Sequence, residues 1–220
     1  MEIKVIITGA TGMVGEGVLL ECLQNPAVKE VLMVNRHHYE RKHAKLKELI
    51  VPDFLKLEGF EDQLAGYNAC FFCAGVSSLG MKEAEYTRIT YDTTLNFART
   101  VASLNPGMVF TYVSGAMTDS TEKGSLMWAR VKGRTENDLM KLPFKGAYNF
   151  RPGFMKPTPG QKSLKPLYKF VGLLYPLFYL FLRNQILTLQ QVGRAMINSV
   201  LTGYDKQVLE IRDIKALGQG

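Results

Sequence analysis

Three glycines spaced three residues apart provide the first chemical signal in this sequence. Gly9, Gly12 and Gly15 stand between the apolar run at residues 3–8 and a helix-like stretch. At such a turn the first glycine permits a tight exit from a strand, and the second lets backbone N–H groups approach a pyrophosphate. The third lets the helix lie close to the sheet. The spacing, with a strand before it and a helix after it, predicts a dinucleotide-binding turn.

The end of the second predicted strand indicates which dinucleotide would bind. In NAD-binding proteins an acid at this point binds the ribose 2′-hydroxyl. This sequence has Asn35 and Arg36 instead. Since no carboxylate repels it, a 2′-phosphate can pair with the Arg36 guanidinium, with His37, Arg41 or Lys42 at the rim. The pattern favours NADP(H) over NAD(H).

The histidines and cysteines do not form a metal or redox pattern. The three histidines, all between residues 37 and 43, have no carboxylate or cysteine at ligand spacing, and we predict no metal. Cys70 and Cys73 lie in an apolar run of strand length, where residues three apart point to opposite faces. We therefore expect them to be packed thiols. Because the chain has an odd number of cysteines and opens without a signal-peptide pattern, we expect a cytoplasmic protein.

The elements that must position these residues alternate along the chain. Apolar runs at 3–8, 30–35, 53–57, 69–75, 108–114 and 147–153 predict strands, separated by helix-like stretches that include 41–50, 83–104 and 126–142. Near-continuous apolar strands spaced by helices predict an α/β fold, a Rossmann-type doubly wound parallel sheet. We expect one NAD(P)-binding domain over residues 1–220, in which residues 154–204 form a small C-terminal helical cap on the substrate side.

The positive charge is concentrated in the C-terminal third. Lys and Arg number 27 against 20 Asp and Glu, a net charge of +7, and no acid occurs between residues 139 and 204. This distribution favours an anionic ligand or a membrane surface as a partner of that region. No motif for reading nucleic acid is present, and we predict no nucleic-acid partner.

An uncharged apolar segment at residues 170–182 has three interpretations. A transmembrane helix needs about 17–25 apolar residues, and Pro176 interrupts this shorter run. The segment is therefore a cover over the substrate cleft, a homodimer contact, or part of a peripheral membrane contact through residues 162–183. A cover of this kind would favour an apolar small-molecule substrate.

Four motifs together resemble a known family. They are T-G-A-T-G-M-V-G at the first turn, Y-V-S-G after the fifth predicted strand, the helical A-R-V-K-G-R-T-E-N and the later F-R-P-G, with V-x-R-A-M-x-N-x-V in the last long helix. The chain resembles the atypical short-chain dehydrogenase/reductases. Within them it is similar to the Tat-interacting-protein-type oxidoreductases and the nucleoside-diphosphate-sugar epimerase-like proteins.

The resemblance implies an NADP(H) site and a catalytic group. The cofactor residues would be Gly9, Thr11, Gly12, Met13 and Val14 at the phosphates, Asn35 and Arg36 at the ribose, Cys73, Ala74 and Gly75 along the fourth strand, and Pro152 and Gly153 near the nicotinamide. The family's catalytic residues are a serine and a Tyr-x-x-x-Lys pair. Ser114 and Lys132 match the serine and the lysine.

The tyrosine position holds Trp128. In the usual relay a phenol gives its proton to a carbonyl, and a lysine one helical turn away lowers the phenol pKa and holds the ribose. An indole N–H can polarise a carbonyl or stack on a ring, but it cannot act as acid or base. Lys132 keeps its cofactor-positioning role, and neither Tyr91 nor Tyr112 is an evident replacement.

Two functions of different class follow from this substitution. In the first, the protein is an NADP(H)-dependent oxidoreductase acting on a carbonyl or alcohol without the usual tyrosine. In the second, it binds NADP(H) without redox chemistry and serves as a sensor or partner-binding module.

Overall fold

The computed structural model describes residues 1–162 and 186–219. Its strands are β1 (Ile3–Thr8), β2 (Val28–Asn35), β3 (Leu46–Ile50), β4 (Ala69–Phe72), β5 (Val109–Val113), β6 (Gly146–Phe150), β7 (Phe154–Lys156), β8 (Ile186–Thr188) and β9 (Val208–Leu209). Its helices are α1 (Met13–Gln24), α2 (Glu61–Leu64), α3 (Glu83–Thr87), α4 (Thr93–Leu104), α5 (Met127–Leu139), α6 (Leu189–Leu201) and α7 (Ile211–Leu217), with a π-helical turn (Arg88–Asp92) between α3 and α4.

Within the described ranges, seven strands form one parallel sheet in the order β3-β2-β1-β4-β5-β6-β9. The strand order reverses between β1 and β4, where the chain crosses from one half of the sheet to the other. In open α/β sheets this reversal leaves a crevice at the carboxyl ends of the strands. The predicted Rossmann-type doubly wound sheet is confirmed.

The sheet carries a separate apolar core on each face. Side chains alternate along β1, so that Ile3, Val5 and Ile7 pack with α1 and α6, whereas Ile6 packs with α4 on the opposite face. The strands are nearly continuous in apolar residues because both faces are covered.

The prediction for the edge strand β3 was wrong. Residues 41–50 were expected to be a helix and 53–57 a strand, but the strand is Leu46–Ile50 and residues 53–57 form no strand. The segment K-L-K-E-L-I spaces its apolar residues at three and four, which also fits a helix. Pairing with β2, in which Leu46 lies beside Val31 and Ile50 beside Asn35, decides the outcome.

The C-terminal region extends the helical layer on the α1 side. Helix α6 packs against α1 so closely that a Cβ on Gly193 would lie 2.7 Å from the Glu21 Cβ. The described part of the predicted cap at 154–204 contains β7 and β8, which pair with each other. It also contains α6, which lies in the same layer as α1. Strand β9 and α7 were not foreseen.

The apolar segment at 170–182 and nearly all of the predicted peripheral contact at 162–183 lie outside the described residues. Among the residues that are described, no helix combines the length and the apolar character needed to cross a membrane.

Gly133 provides a test of how α5 is packed. A Cβ at this position would lie 1.8 Å from the Asp119 carbonyl oxygen. The loop cannot easily move away, because the Asp119 carboxylate accepts hydrogen bonds from the backbone N–H groups of Thr121, Lys123 and Gly124.

We therefore expect Gly133→Ala to lower the free energy of unfolding by about 2 kcal/mol or more. In an unobstructed helix the same change stabilises by about 1 kcal/mol. Urea denaturation measures the difference, with Gly75→Ala as control because a Cβ at Gly75 meets nothing within 4 Å. Unchanged stability of Gly133→Ala would contradict the close contact between helix and loop.

Candidate functional site

A crevice of about 320 Å³ opens at the carboxyl ends of β1, β2 and β4. Part of its wall consists of residues predicted for cofactor binding: Gly9, Thr11, Gly12, Asn35, Arg36, Cys73, Ala74 and Gly75. Another part was missed by the sequence reasoning: Pro52, Asp53, Phe54 and Leu55 beyond β3, and Arg88, Ile89 and Thr93 of the π turn and α4. The sequence pattern does not indicate the loop beyond β3, because the apolar spacing at residues 41–50 predicts a helix where β3 lies.

The glycine turn is built by close backbone contacts. Gly9 has φ +70°, and a Cβ there would lie 2.6 Å from the Ala74 backbone nitrogen. A Cβ on Gly15 would lie 2.1 Å from the Gly9 carbonyl oxygen. Gly12 caps α1 without a side-chain hydrogen bond, and its missing Cβ would meet only the Gly9 oxygen at 3.4 Å. The first turn of α1 therefore presents its backbone N–H groups without a capping side chain.

The end of β2 supplies a buried amide and an exposed cation. Asn35 is 3% exposed, and its Nδ2 donates to Glu48 Oε1 over 3.1 Å. Arg36 is exposed and lines the crevice. Of the cations predicted at its rim, Arg41 donates to Glu16 of α1 at 3.0 Å, which ties the following loop to the helix.

A second group of predicted residues lies farther along the same edge of the sheet, beyond β5 and β6. Ser114 donates its hydroxyl hydrogen bond to Glu136, and the Lys132 ammonium donates to the Ser114 carbonyl oxygen. The Ala116 N–H donates to the carbonyl of Pro152, which brings the loops beyond β5 and β6 together. Met13, Val14 and Gly153 also lie outside the crevice wall, at the start of α1 and after β6.

Glu136 was not foreseen as part of this group. Its carboxylate is fully buried and pairs with Arg151, whose Nε lies 3.1 Å from Oε1. Arg151 also donates to the Ser120 hydroxyl and to Glu210. The sequence spacing indicates that Glu136 belongs with this group, because it lies one helical turn after Lys132 and therefore on the same face of α5.

The Lys132 ammonium has a pKa well below its usual range. It is half-buried, and burial lowers its pKa to about 8, with the Glu136 carboxylate opposing part of the shift. Trp128, half-buried one helical turn earlier, has no ionisable proton.

Neither tyrosine considered as a replacement has a free phenol. Tyr112 is 2% exposed, and burial raises its pKa. The Tyr91 hydroxyl donates to Asp138 at 2.6 Å, and this hydrogen bond raises the pKa of Tyr91. The acid that the usual relay requires is therefore not supplied by either residue.

The cysteines are packed as predicted. Cys22 and Cys70 are buried, and Cys70 belongs to the core on the α4 face whereas Cys73 packs against the core on the α1 face. Burial raises the pKa of the Cys73 thiol to about 12, which keeps it protonated. The pair is not a redox motif in this structure.

Comparisons with known proteins agree with this geometry. A family model described as NAD dependent epimerase/dehydratase family matches residues 5–123. The chain belongs to this family. No curated protein matches the sequence.

Three of the similar solved structures show the extent of the likeness. A UDP-N-acetylglucosamine 4-epimerase from Methanobrevibacter ruminantium M1, in complex with UDP-N-acetylmuramic acid, is 14% identical with a TM-score of 0.67, over 95% of this chain and 76% of that one. A short chain dehydrogenase family protein from Francisella tularensis is 15% identical with a TM-score of 0.64, over 96% and 97%. The Bordetella bronchiseptica enzyme WbmG, in complex with NAD, is 14% identical with a TM-score of 0.68, over 96% and 72%. At these identities the likeness establishes the fold.

The residues present fit the NAD(P)-type cofactor that the family implies. The space beside Gly12 is one that a side chain would fill, and the N–H groups of the α1 first turn border it. The Asn35 Oδ1 atom, buried at the crevice wall, has no hydrogen-bond partner in the described ranges. Both features suit a phosphate-bearing ligand with ribose hydroxyls.

The lowered pKa of Lys132 predicts a pH dependence of stability. In the unfolded chain the lysine titrates near its ordinary pKa of 10.5, and in the folded protein near about 8. Between these values the unfolded state binds more protons, so stability rises with pH in that window. Relative to Lys132→Met, the unmodified protein should gain stability from pH 8 to pH 10.

Urea denaturation of both proteins at several pH values measures this difference, because titrations common to both cancel. Lys145→Met, which removes an exposed lysine, is the matched control. Parallel curves for the unmodified protein and Lys132→Met would show that Lys132 is not desolvated.

Proposed function

We propose that the protein is an NADP(H)-dependent oxidoreductase of this family, acting on the carbonyl or alcohol group of a small molecule. The observation that carries the proposal is the crevice in which the glycine turn and Arg36 lie together. Backbone N–H groups and a guanidinium are complementary to a pyrophosphate and a 2′-phosphate, respectively.

Each part of the chain would have a separate task in holding the cofactor. Gly9, Thr11, Gly12, Met13 and Val14 would hold the phosphates, while Arg36 pairs with the 2′-phosphate. Lys132, Pro152 and Gly153 would lie toward the nicotinamide. The bound cofactor supplies or accepts hydride.

Neither Tyr91 nor Tyr112 offers an available phenol, so we assign the proton that accompanies hydride to another group. Lys132, with a pKa of about 8, holds a proton near neutral pH and can release it. The single hydroxyl proton of Ser114 is already donated to Glu136, so this serine orients Lys132 through its carbonyl rather than polarising a substrate. Trp128 contributes shape and a neutral donor.

Exposed apolar side chains support an apolar substrate. Leu79 is 90% exposed and Met117 is 73% exposed, and they lie in the loops after β4 and β5. Leu126 before α5 and Phe154 after β6 are also exposed. These loops follow the ends of adjacent strands. Met117 has φ +67°, a backbone conformation that raises the free energy of a residue with a side chain. A sugar nucleotide would find few polar partners among these side chains.

A second candidate function is cofactor binding without redox chemistry. Trp128 at the tyrosine position and the hydrogen bond from Ser114 to Glu136 favour it. Of the serine, tyrosine and lysine of the usual relay, only Lys132 then remains available. In this case the protein would respond to NADP(H) as a sensor or partner-binding module.

The cofactor preference gives a direct test. Isothermal titration should show tighter binding of NADPH than NADH, and Arg36→Asp should reverse the order. A hydrogen bond to a charged group contributes about 1.5–3 kcal/mol, so we expect a change of roughly tenfold or more in the affinity ratio.

Gly12→Val is the matched loss-of-binding variant. Gly12 has φ −98°, a backbone conformation that suits a branched residue, so the variant should fold. The valine side chain would then occupy the phosphate position. Equal affinities of the unmodified protein for both cofactors would contradict the role of Arg36.

Trp128→Tyr tests which of the two functions applies. A phenol one helical turn from Lys132 restores a general acid, which is typically worth about 10²–10⁴-fold in rate. We expect faster NADPH oxidation over a panel of carbonyl compounds, with Trp128→Phe as control for the smaller ring. If the two variants behave alike on every compound, the binding-module function is the better one.

A further inference from the structure

The Asn35 amide at the crevice wall has one partnered end and one unpartnered end. Its Nδ2 donates to Glu48 of β3, whereas its Oδ1 has no hydrogen-bond partner in the described part of the chain. A buried amide oxygen without a partner is costly, by about 1–3 kcal/mol. Such a group in the wall of a binding crevice indicates that a ligand donates to it.

Glu48 determines which end of the amide is free. Besides Asn35, its carboxylate accepts a hydrogen bond from the Tyr39 backbone N–H at 2.9 Å and contacts the His38 ring. Burial alone would raise the pKa of Glu48, but the hydrogen bonds from Tyr39, Asn35 and His38 outweigh it and lower the pKa. The group is thus ionised at neutral pH.

An ionised carboxylate can only accept hydrogen bonds. Rotating the Asn35 amide by half a turn would place Oδ1 against a carboxylate oxygen, with two acceptors facing each other. Glu48 therefore locks the amide with its nitrogen toward β3 and its oxygen away from it.

We propose that Glu48 is a positioning residue for cofactor specificity, which holds the Asn35 oxygen as an acceptor for a ribose 2′-hydroxyl. The inference rests on the proposed function, since it concerns the same ribose subsite. Arg36 attracts a 2′-phosphate, whereas the oriented Asn35 oxygen and the nearby Glu48 charge disfavour one. The preference for NADP(H) is consequently restrained, and NAD(H) remains a competing ligand.

Glu48→Leu should release this restraint. Asn35 Nδ2 and the Tyr39 N–H both donate to Glu48 Oε1, and a leucine offers neither of them an acceptor. With no acceptor on β3 to hold its nitrogen, the Asn35 amide can turn that nitrogen toward the ribose and donate to a 2′-phosphate. We expect the ratio of the NADH and NADPH dissociation constants to rise about threefold to tenfold, the contribution of one hydrogen bond, chiefly through tighter NADPH binding.

The experiment is isothermal titration of both cofactors into the unmodified protein, Glu48→Leu, Asn35→Leu and the double variant. A ratio measured within one protein is insensitive to a loss of folded molecules, so a merely structural effect of Glu48 does not change it. Glu2→Gln is the control for the charge, because Glu2 is an exposed residue before β1 at the opposite end of the strands.

If Glu48 acts through Asn35, Glu48→Leu shifts the ratio in the unmodified background but not in the Asn35→Leu background. An unchanged ratio in Glu48→Leu overturns the inference while leaving cofactor binding intact. An equal shift in both backgrounds also overturns it, because the charge would then act directly. Absence of binding of either cofactor to the unmodified protein would remove the proposed function itself.

Discussion

The buried carboxylate of Glu136 is the constraint on which much of this structure depends. A carboxylate with no exposed surface needs a cation and hydrogen-bond donors, because an unpaired buried charge is far more costly than a paired one. Arg151 and Ser114 meet this need, and they come from the ends of β6 and β5. Arg151 in turn holds Ser120 and Glu210. One charge on α5 thereby connects two strand ends, a loop and the start of α7.

This arrangement has a chemical consequence for the region beyond β5 and β6. The Ser114 hydroxyl donates its hydrogen bond to Glu136, and Lys132 donates to the same serine's carbonyl. Among the described residues at the predicted relay positions, Lys132 keeps a lowered pKa, whereas Trp128 has no phenol and the Ser114 hydroxyl is already engaged. The glycine turn carries none of these restrictions, because it offers backbone N–H groups without a capping side chain. The proposed cofactor binding therefore does not depend on the groups that the proposed chemistry needs.

Charges of opposite sign meet at the end of the crevice formed by β2 and β3. Arg36 is exposed in the crevice wall, while Glu48 lies one strand away and accepts a hydrogen bond from Asn35. When charges of opposite sign border one site, the preference between two ligands depends on the difference between the two effects and not on a single strong contact. The residue types at the end of β2 are consequently an incomplete guide to the cofactor preferred.

The sequence by itself determined the α/β class, the glycine turn and the residues along the strand ends, because burial on both faces and backbone freedom leave local patterns. It also indicated packed cysteines. Tertiary structure decided the rest: β3 formed where a helix was expected, since pairing with β2 outweighed an ambiguous apolar spacing. The partners of Asn35 and Ser114, which are Glu48 and Glu136, were likewise decided by packing. The physical reason is that a hydrogen bond depends on the relative placement of two elements, whereas a local pattern records only which face of each element is buried.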